Sequence, residues 1–257
     1  MGIVEKWKRY QFLFLQLVHR DFTKKYKRTI LGIMWSVLSP LLSLLVMNLI
    51  FKTLLGSEIE YYTIYLFSGQ LIFSFFSDST NEGMTSLLNN ADIFSKVNVP
   101  KYMFLFSKNV SSLINFSITL LIYFMFVLIN GLPITWKFLL LLYPICCLVI
   151  FNLGVGLILS ALYVFFRDIQ YLYSIFTLLL MYMSAIFYSI DTFPQVGKNL
   201  FLLNPIYVYI RYFRKIVIDG TIPSIWFHLI AVGYAIIAFA IGCLIYKKKN
   251  HSFLYYV

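Results

Sequence analysis

The sequence predicts an all-α integral membrane protein that crosses the bilayer six times. Of its 257 residues, 61% are hydrophobic and only 12% are charged, which is about half the charged share of an ordinary soluble domain. The apolar residues stand in long blocks, and several blocks reach the roughly 20 residues that a helix needs to cross the hydrocarbon core. Six such spans would occupy most of the chain and leave no room for a separate soluble domain.

The N-terminal residues 1–30 predict a cytoplasmic, amphipathic interface helix. Within 3–22, aromatic and aliphatic side chains are mixed with basic ones, a composition typical of a helix that lies in the headgroup plane. No short apolar stretch here ends in a small-residue cleavage site, so we expect the first span to insert as an uncleaved anchor.

The membrane domain is predicted over 31–247, followed by a cytoplasmic tail at 248–257. Pro40 lies inside the first span and removes one backbone donor there. Polar residues at about 84–100 separate the second span from the third. The six spans are predicted at about 31–55, 61–78, 103–130, 136–165, 169–190 and 225–246.

Lysine and arginine are distributed unequally between the two sides of this predicted topology. With both termini on one side, that side carries 15 of the 21 basic residues. Basic residues accumulate on the cytoplasmic side of membrane proteins, so both termini are predicted to face the cytoplasm. The same bias accounts for the net charge of +11 without nucleic-acid binding.

The connection between the fifth and sixth spans, at about 191–220, is extracytoplasmic in this topology yet rich in apolar and aromatic residues. Its stretch 201–213 is too short to cross the bilayer. One interpretation is a pair of re-entrant helices broken at Asn204-Pro205, with protein or water satisfying the exposed backbone. The alternative is an aromatic belt that rests on the outer leaflet.

The residue pattern contains no recognisable catalytic, metal or nucleotide site. There is no glycine-rich phosphate-binding loop, and the cysteines have neither disulfide nor metal-ligand spacing. Arg167 and Asp168 form either a solvated turn or a corner that transmits force from a cytoplasmic partner. Tyr182 and Tyr188 could stack on sugars or belong to an aromatic belt.

Four stretches in this order carry a family resemblance. They are RDFTKKYKRTILGIMWSVLSP at 20–40, IFSKVNVPK at 93–101, LYVFFRDI at 162–169 and LNPIYVYIRYFR at 203–214. Together with the topology, they resemble the membrane subunits of ABC-2-type exporters of polysaccharides and polyol phosphates, namely the O-antigen, capsule and teichoic-acid permeases. The resemblance covers nearly the whole chain.

The resemblance implies a non-catalytic permease subunit that moves a lipid-linked cell-surface polysaccharide across the bacterial cytoplasmic membrane. It implies a homodimer with two copies of a separate ATPase, which would hold ATP and Mg²⁺, and no cofactor on this chain. A coupling loop at about 84–100 would dock into the ATPase. The residues assigned to coupling are Asn89, Asp92, Phe94, Lys96, Pro100, Arg167 and Asp168.

The resemblance further suggests where the substrate would pass. The residues assigned to the path are Trp35, Tyr182 and Tyr188. Those assigned to an outer gate are Asn204, Pro205, Tyr207, Arg211 and Arg214. Two alternatives stay open, an ABC-2 permease for a small lipid or drug and a membrane-embedded glycosyl- or acyltransferase. Neither the glycan nor its lipid carrier can be read from the sequence.

Overall fold

The computed structural model describes residues 3–27, 29–55, 59–97, 99–249, 253 and 256, and the regular structure in these ranges is helical. Short 3₁₀ turns at Gly32–Met34, Leu88–Asn90 and Trp136–Leu141 connect or extend some of the helices. The α-helices of the described ranges are α1 (Ile3–Tyr26), α2 (Trp35–Leu55), α3 (Tyr62–Thr85), α4 (Ala91–Phe94), α5 (Tyr102–Ile129), α6 (Leu142–Phe165), α7 (Ile169–Met183), α8 (Gln195–Phe201), α9 (Pro205–Val217) and α10 (Ile225–Lys249).

Four helical stretches of the described ranges are long and apolar enough to cross a membrane. They are Gly32–Lys52, Tyr102–Ile129, Trp136–Phe165 and Ile225–Lys249, and they correspond to the predicted first, third, fourth and sixth spans. The helices at the second and fifth positions differ. α3 has 24 residues but a polar C-terminal end, and α7 is apolar but has only 15 residues.

α3 lies at the centre of the bundle, packed mainly against α5 and α6. Its phenylalanines contact rings of both neighbours: Phe75 is 4.6 Å from Phe116 of α5, and Phe76 is 5.9 Å from Phe151 of α6, between ring centroids. Because other helices cover α3, its surface need not be apolar for it to lie inside a membrane domain.

α6 and α10 form the most extensive helix pair, and two glycines allow their close approach. A Cβ added at Gly242 of α10 would lie 2.7 Å from the Gly154 carbonyl oxygen and 2.9 Å from Leu157 Cβ. A Cβ added at Gly154 would lie 2.4 Å from backbone atoms of Ala238 and Phe239. Small residues at such positions let membrane helices pack backbone against backbone.

α1 packs along α5 through a face repeated at helical spacing. Tyr10, Leu13, Phe14 and Leu17 belong to one apolar cluster with residues of α5, and Leu17 is almost fully buried. On another side of α1, Phe12 and Leu15 are exposed. Residues 1, 2 and 28 of the predicted interfacial segment lie outside the described residues.

Three helix ends differ from the predicted spans. α7, the helix at the predicted fifth span, ends at Met183 instead of continuing to 190. It ends there because Ala185 adopts a positive φ of 49° that an α-helix cannot contain. α3 continues to Thr85, past the predicted end near 78. α10 continues to Lys249, into the tail predicted from 248, of which only 253 and 256 are otherwise described.

Candidate functional site

A polar cavity of about 460 Å³ lies between α2, α3 and α5. Trp35 lines it, as do Pro40 of α2 and three phenylalanines. Its polar lining consists mostly of uncharged side chains: Thr29, Ser36, Ser39, Ser43, Gln70, Ser74, Ser112, Asn115 and Thr119. The charged lining residues are Lys25 and Asp78, whose side chains lie 3.4 Å apart. Hydroxyls and amides beside aromatic rings are the surfaces on which a sugar can bind.

One face of α3 borders this cavity over two turns. Gln70, Ser74 and Asp78 follow one another at intervals of four residues, the spacing that places side chains on one face of a helix. The same three residues border a second cavity of about 190 Å³, which extends to Ile186 and Phe187 beyond α7. The two cavities therefore adjoin along a polar stripe of α3.

Two buried polar atoms of the cavity wall have no hydrogen-bond partner among the described residues. They are Oε1 of Gln70 and Oγ of Ser112. A buried polar atom that lacks a partner costs free energy unless water or a ligand satisfies it.

Residues 86–97 and 99–101 form a compact turn-rich segment between α3 and α5. Phe94 is buried and lies 6.0 Å from the ring of Phe104. Lys101 places its Nζ atom over the Phe94 ring at 5.7 Å, and burial lowers the pKa of this ammonium group. Asp92 and Lys96 point outward and are exposed. The segment is thus anchored on one side and presents charged groups on the other.

An ionic network joins α1 to this segment and to α5. Asp21 is buried, and its carboxylate accepts hydrogen bonds from Arg20 at 2.7 Å and from Ser107 at 3.1 Å. Lys108 lies 3.5 Å from the same carboxylate. The Arg20 guanidinium also donates to Asn90 Oδ1 at 2.8 Å. Asp21 therefore fixes α1 to α5, and Arg20 fixes it to the segment that contains Asn90.

Glu82, near the end of α3, extends this network. Its carboxylate lies 3.7 Å from Lys108 Nζ and 3.8 Å from Lys25 Nζ. Burial raises the pKa of this carboxyl, and the two lysines act in the opposite direction. Through Lys25, which also pairs with Asp78, the network reaches the end of the polar cavity.

At the other end of the bundle, Arg214 of α9 is almost completely buried and holds the irregular residues after α7. Its guanidinium donates to the carbonyl oxygens of Ala185 and Ile186 at 2.8 and 3.0 Å. It also donates to Ser68 Oγ and the Tyr65 carbonyl of α3, and lies 3.3 Å from the Tyr65 ring centroid. These contacts satisfy backbone acceptors that the ended helix leaves open.

Two tyrosines of α3 satisfy further carbonyls of the same stretch. Tyr62 donates to the Phe187 carbonyl at 3.0 Å, and Tyr65 donates to the Tyr188 carbonyl at 2.7 Å. Asn204 caps α9 by accepting from the Ile206 amide at 2.9 Å. Its side-chain amide donates back to Ser184 and Met183.

A third cavity, of about 400 Å³, opens beside this stretch. Tyr188, Asp191 and Arg211 line it, together with buried Arg214. Arg211 pairs with Asp191 at 3.3 Å, and Lys198 of α8 donates to the Asp191 carbonyl at 2.8 Å. Residues 191–217 thus form two short helices that separate at Asn204-Pro205, where the sequence predicts the break.

The structure brings the predicted outer-gate residues together but separates the three predicted path residues. Trp35 lines the cavity between α2, α3 and α5, and Tyr188 lines the third cavity, beside the stretch after α7. Tyr182 lies exposed on α7. Of the other predicted coupling residues in the segment between α3 and α5, Asn89 is exposed and Pro100 is partly buried. Arg167 and Asp168 occupy the exposed turn between α6 and α7.

Several residues of these sites were assigned no role from the sequence. Asp21 carries one sequence signal, since it is an acidic residue within a strongly basic segment. The Gln70–Ser74–Asp78 spacing is a second signal, a polar stripe within an otherwise apolar span. Ser107, Lys108 and Ser112 carry none, because only tertiary packing gives them partners or a cavity.

The four long apolar helices define a multi-pass helical membrane protein. Residues 12–218 match the ABC-2 type transporter family. The chain belongs to this family.

Its relatives include O-antigen export system permease proteins (RfbA) from two bacteria. The chain is 28% identical to one from Klebsiella pneumoniae over 94% of this chain and 93% of the relative. It is 27% identical to one from Myxococcus xanthus over 86% of each. A capsule polysaccharide export inner-membrane protein (CtrC) of Neisseria meningitidis is 22% identical over 74% of this chain and 72% of the relative.

Proposed function

We propose that this chain is the permease subunit of an ATP-driven exporter of a lipid-linked cell-surface polysaccharide. The observation that carries the proposal is the cavity between α2, α3 and α5, whose polar wall is almost entirely hydroxyl and amide. A glycan cannot enter hydrocarbon and needs such a hydrated surface within the bundle. The functions of the relatives, O-antigen and capsule polysaccharide export, support the same substrate class.

The chain crosses the membrane six times, with α3 and α7 as the second and fifth spans. α3 is about 36 Å long at 1.5 Å per residue, which is enough for a hydrocarbon core of about 30 Å. Its polar end beyond Asp78 projects into the cytoplasmic interface. α7 covers only about 22 Å, and residues 184–190 complete the crossing without a helix, because Arg214, Tyr62 and Tyr65 satisfy their carbonyls.

α1 lies at the cytoplasmic interface, with exposed Phe12 and Leu15 toward lipid. Residues 84–100 are the coupling segment, and outward-facing Asp92 and Lys96 contact the partner ATPase. Buried Phe94 transmits the movement of the ATPase to the helices of the bundle. The Arg167-Asp168 turn meets the same partner face.

The functional unit is a homodimer of this chain with two copies of a nucleotide-binding ATPase. ATP and Mg²⁺ bind to the ATPase, and this chain is non-catalytic and carries no cofactor. The complex lies in the bacterial cytoplasmic membrane, with both termini of this chain in the cytoplasm and no role for nucleic acid. α8 and α9 form the outer gate, which Arg214 and Asn204 hold to the end of α7.

Deletion of this chain in its native cell tests the proposal. We expect the surface polysaccharide to disappear while its lipid-linked form accumulates inside, and re-expression of the chain to restore it. Affinity purification from the native membrane should recover an ATPase in equal amount, stimulated by the glycolipid. Normal surface glycan in the deletion strain, or full activity of the isolated chain without ATP, would contradict the proposal.

The coupling segment has its own test. Lys96→Ala or Pro100→Ala should leave the complex assembled but lower glycan export per ATP hydrolysed. Lys248→Ala, which removes an equally exposed lysine at the end of α10, is the matched control and should export normally. If both coupling variants export as the control does, residues 84–100 are not the coupling segment.

A further inference from the structure

Phe253, in the C-terminal tail that follows α10, is completely buried. Its ring centroid lies 5.1 Å from that of Tyr246, in the last turn of α10. It lies 6.0 Å from that of Phe165, the last residue of α6. The ring of the tail therefore packs against the neighbouring ends of α6 and α10.

The same ring reaches the segment between α3 and α5. The Nζ atom of Lys101 lies 5.5 Å from the Phe253 ring centroid and 5.7 Å from the Phe94 ring centroid. An ammonium group within about 6 Å of a ring centroid is attracted to the face of that ring, most strongly where water is excluded. Lys101 is only 9% exposed. One buried cation thus bridges a ring of the segment and a ring of the tail.

The helices that this bridge reaches are not the ones that adjoin the segment in the chain. The chain connects the segment to α3 and α5, whereas the tail contacts α6 and α10. α6 and α10 pack backbone against backbone at Gly154 and Gly242. A pair packed this closely transmits a displacement as one body, because neither backbone can shift past the other without a clash.

We infer that Phe253 is a positioning residue that clamps the segment between α3 and α5 to the α6–α10 pair through Lys101. Its consequence for export rests on the proposed function, in which residues 84–100 are the coupling segment. With the clamp in place, a movement of this segment displaces α6 and α10 together with α5. Without the clamp, the segment moves against α6 and α10, and part of the displacement is lost.

Hydrogen exchange of the full chain in nanodiscs tests the clamp. The amides of Ser95 and Val97 donate to carbonyls within the segment, so their exchange rates report on its opening. Phe253→Leu keeps an apolar side chain and removes the ring. We expect these two amides to exchange about two- to thirtyfold faster in this variant, the range for loss of one cation–ring contact.

Tyr256→Leu is the matched control in the same tail. It also removes a ring that contacts Phe165, at 4.9 Å, but Tyr256 is largely exposed. The segment should therefore exchange in this variant as it does in the native chain. The amides of α9, at the other end of the bundle, should keep native rates in both variants, which excludes a general loss of folding.

Lys101→Met distinguishes the cation–ring contact from simple filling of space, because it keeps a long side chain and removes the charge. If Phe253 acts on the segment through this cation, Phe253→Leu should add no further exchange in the Lys101→Met background. Native exchange of Ser95 and Val97 in Phe253→Leu would overturn the inference. So would an undiminished effect of Phe253→Leu in the double variant.

Export separates a failure of the clamp from a failure of the proposed function. The rate at which surface polysaccharide appears is measured in the deletion strain after each variant is induced to equal amounts. We expect a lower rate in Phe253→Leu and a native rate in Tyr256→Leu. Faster exchange with native export would confirm the clamp and refute the coupling role of residues 84–100. Native exchange in Phe253→Leu, with export lost in Lys96→Ala, would refute the clamp alone.

Discussion

Arg214→Lys is the sharpest perturbation of the fold, because it keeps the positive charge and removes only the forked geometry. The native guanidinium reaches Ser68 and three carbonyls at 2.8–3.1 Å, and its central carbon lies 3.3 Å from the Tyr65 ring centroid. These acceptors belong to α3 and to the stretch after α7. A lysine ammonium is a compact donor at the end of a flexible stem and cannot span both groups.

The loss can be estimated from these contacts. If lysine retains two of the four hydrogen bonds, two bonds to a charged donor disappear, at about 1.5–3 kcal/mol each. The substitution should therefore destabilise the packing of residues 184–190 by about 3–6 kcal/mol. Arg211→Lys is the matched control on the same helix. Its partner Asp191 is largely exposed, so the control should cost at most about 1 kcal/mol.

Hydrogen exchange of the protein in nanodiscs measures this difference locally. The amides of α9, the hydrogen-bonded helix that carries Arg214, should lose at least about a hundredfold protection in Arg214→Lys, which corresponds to about 3 kcal/mol. Arg211→Lys should exchange as the native protein does. If both variants keep native protection, the guanidinium geometry does not hold this stretch, and the account of how α7 ends is wrong.

Three further predictions concern other contacts. Gly242→Ala should lower stability by about 1–3 kcal/mol through its clash with α6, whereas Gly233→Ala on the same helix meets open space and should be neutral in thermal unfolding. Asp21→Asn leaves Arg20 and Lys108 without their shared carboxylate and should cost about 3 kcal/mol, seen as faster exchange in α1; native exchange rates would contradict the network. Burial raises the pKa of the Glu82 carboxyl above its ordinary value of 4.5 in the folded chain. Between the ordinary and the raised pKa, the folded chain binds more protons than the unfolded chain does. The free energy of unfolding should therefore fall as the pH rises from 4.5 through the raised pKa. Glu82→Gln should flatten this part of the pH–stability curve, and an unchanged slope would exclude the assignment.

The sequence is sufficient to predict the elements whose local pattern agrees with their final environment. The first, third, fourth and sixth spans carry long apolar runs, and their helices coincide with the predicted ranges to within a few residues, apart from the 3₁₀ turns that begin two of them and the longer α10. The break at Asn204-Pro205 was also predictable, because asparagine caps a helix and proline suits its first turn.

The site was less predictable, because its residues obtain their roles from distant parts of the chain. Ser107 contacts Asp21 across 86 positions, and Arg214 contacts Ser68 across 146. The end of α7 at Met183 depends on such contacts, because residues 184–190 are mostly apolar and contain no glycine, proline or charge that would signal a stop. A span can end early only where other elements supply donors for the freed carbonyls.

This dependence explains why α3 is polar for a helix at the centre of a membrane domain. Near its start, Tyr62, Tyr65 and Ser68 face the irregular stretch and the guanidinium that holds it. From Gln70 onward, the polar stripe turns to the cavities, and Asp78 ends in the ionic network with Lys25. Most polar residues that lower the hydropathy of α3 thus have a partner or a cavity that only the assembled bundle provides, whereas Asn81 and Thr85 donate to carbonyls of α3 itself. Hydropathy measures the cost of placing a helix in lipid, and α3 is surrounded mainly by protein, so α3 is the helix for which that measure is least informative.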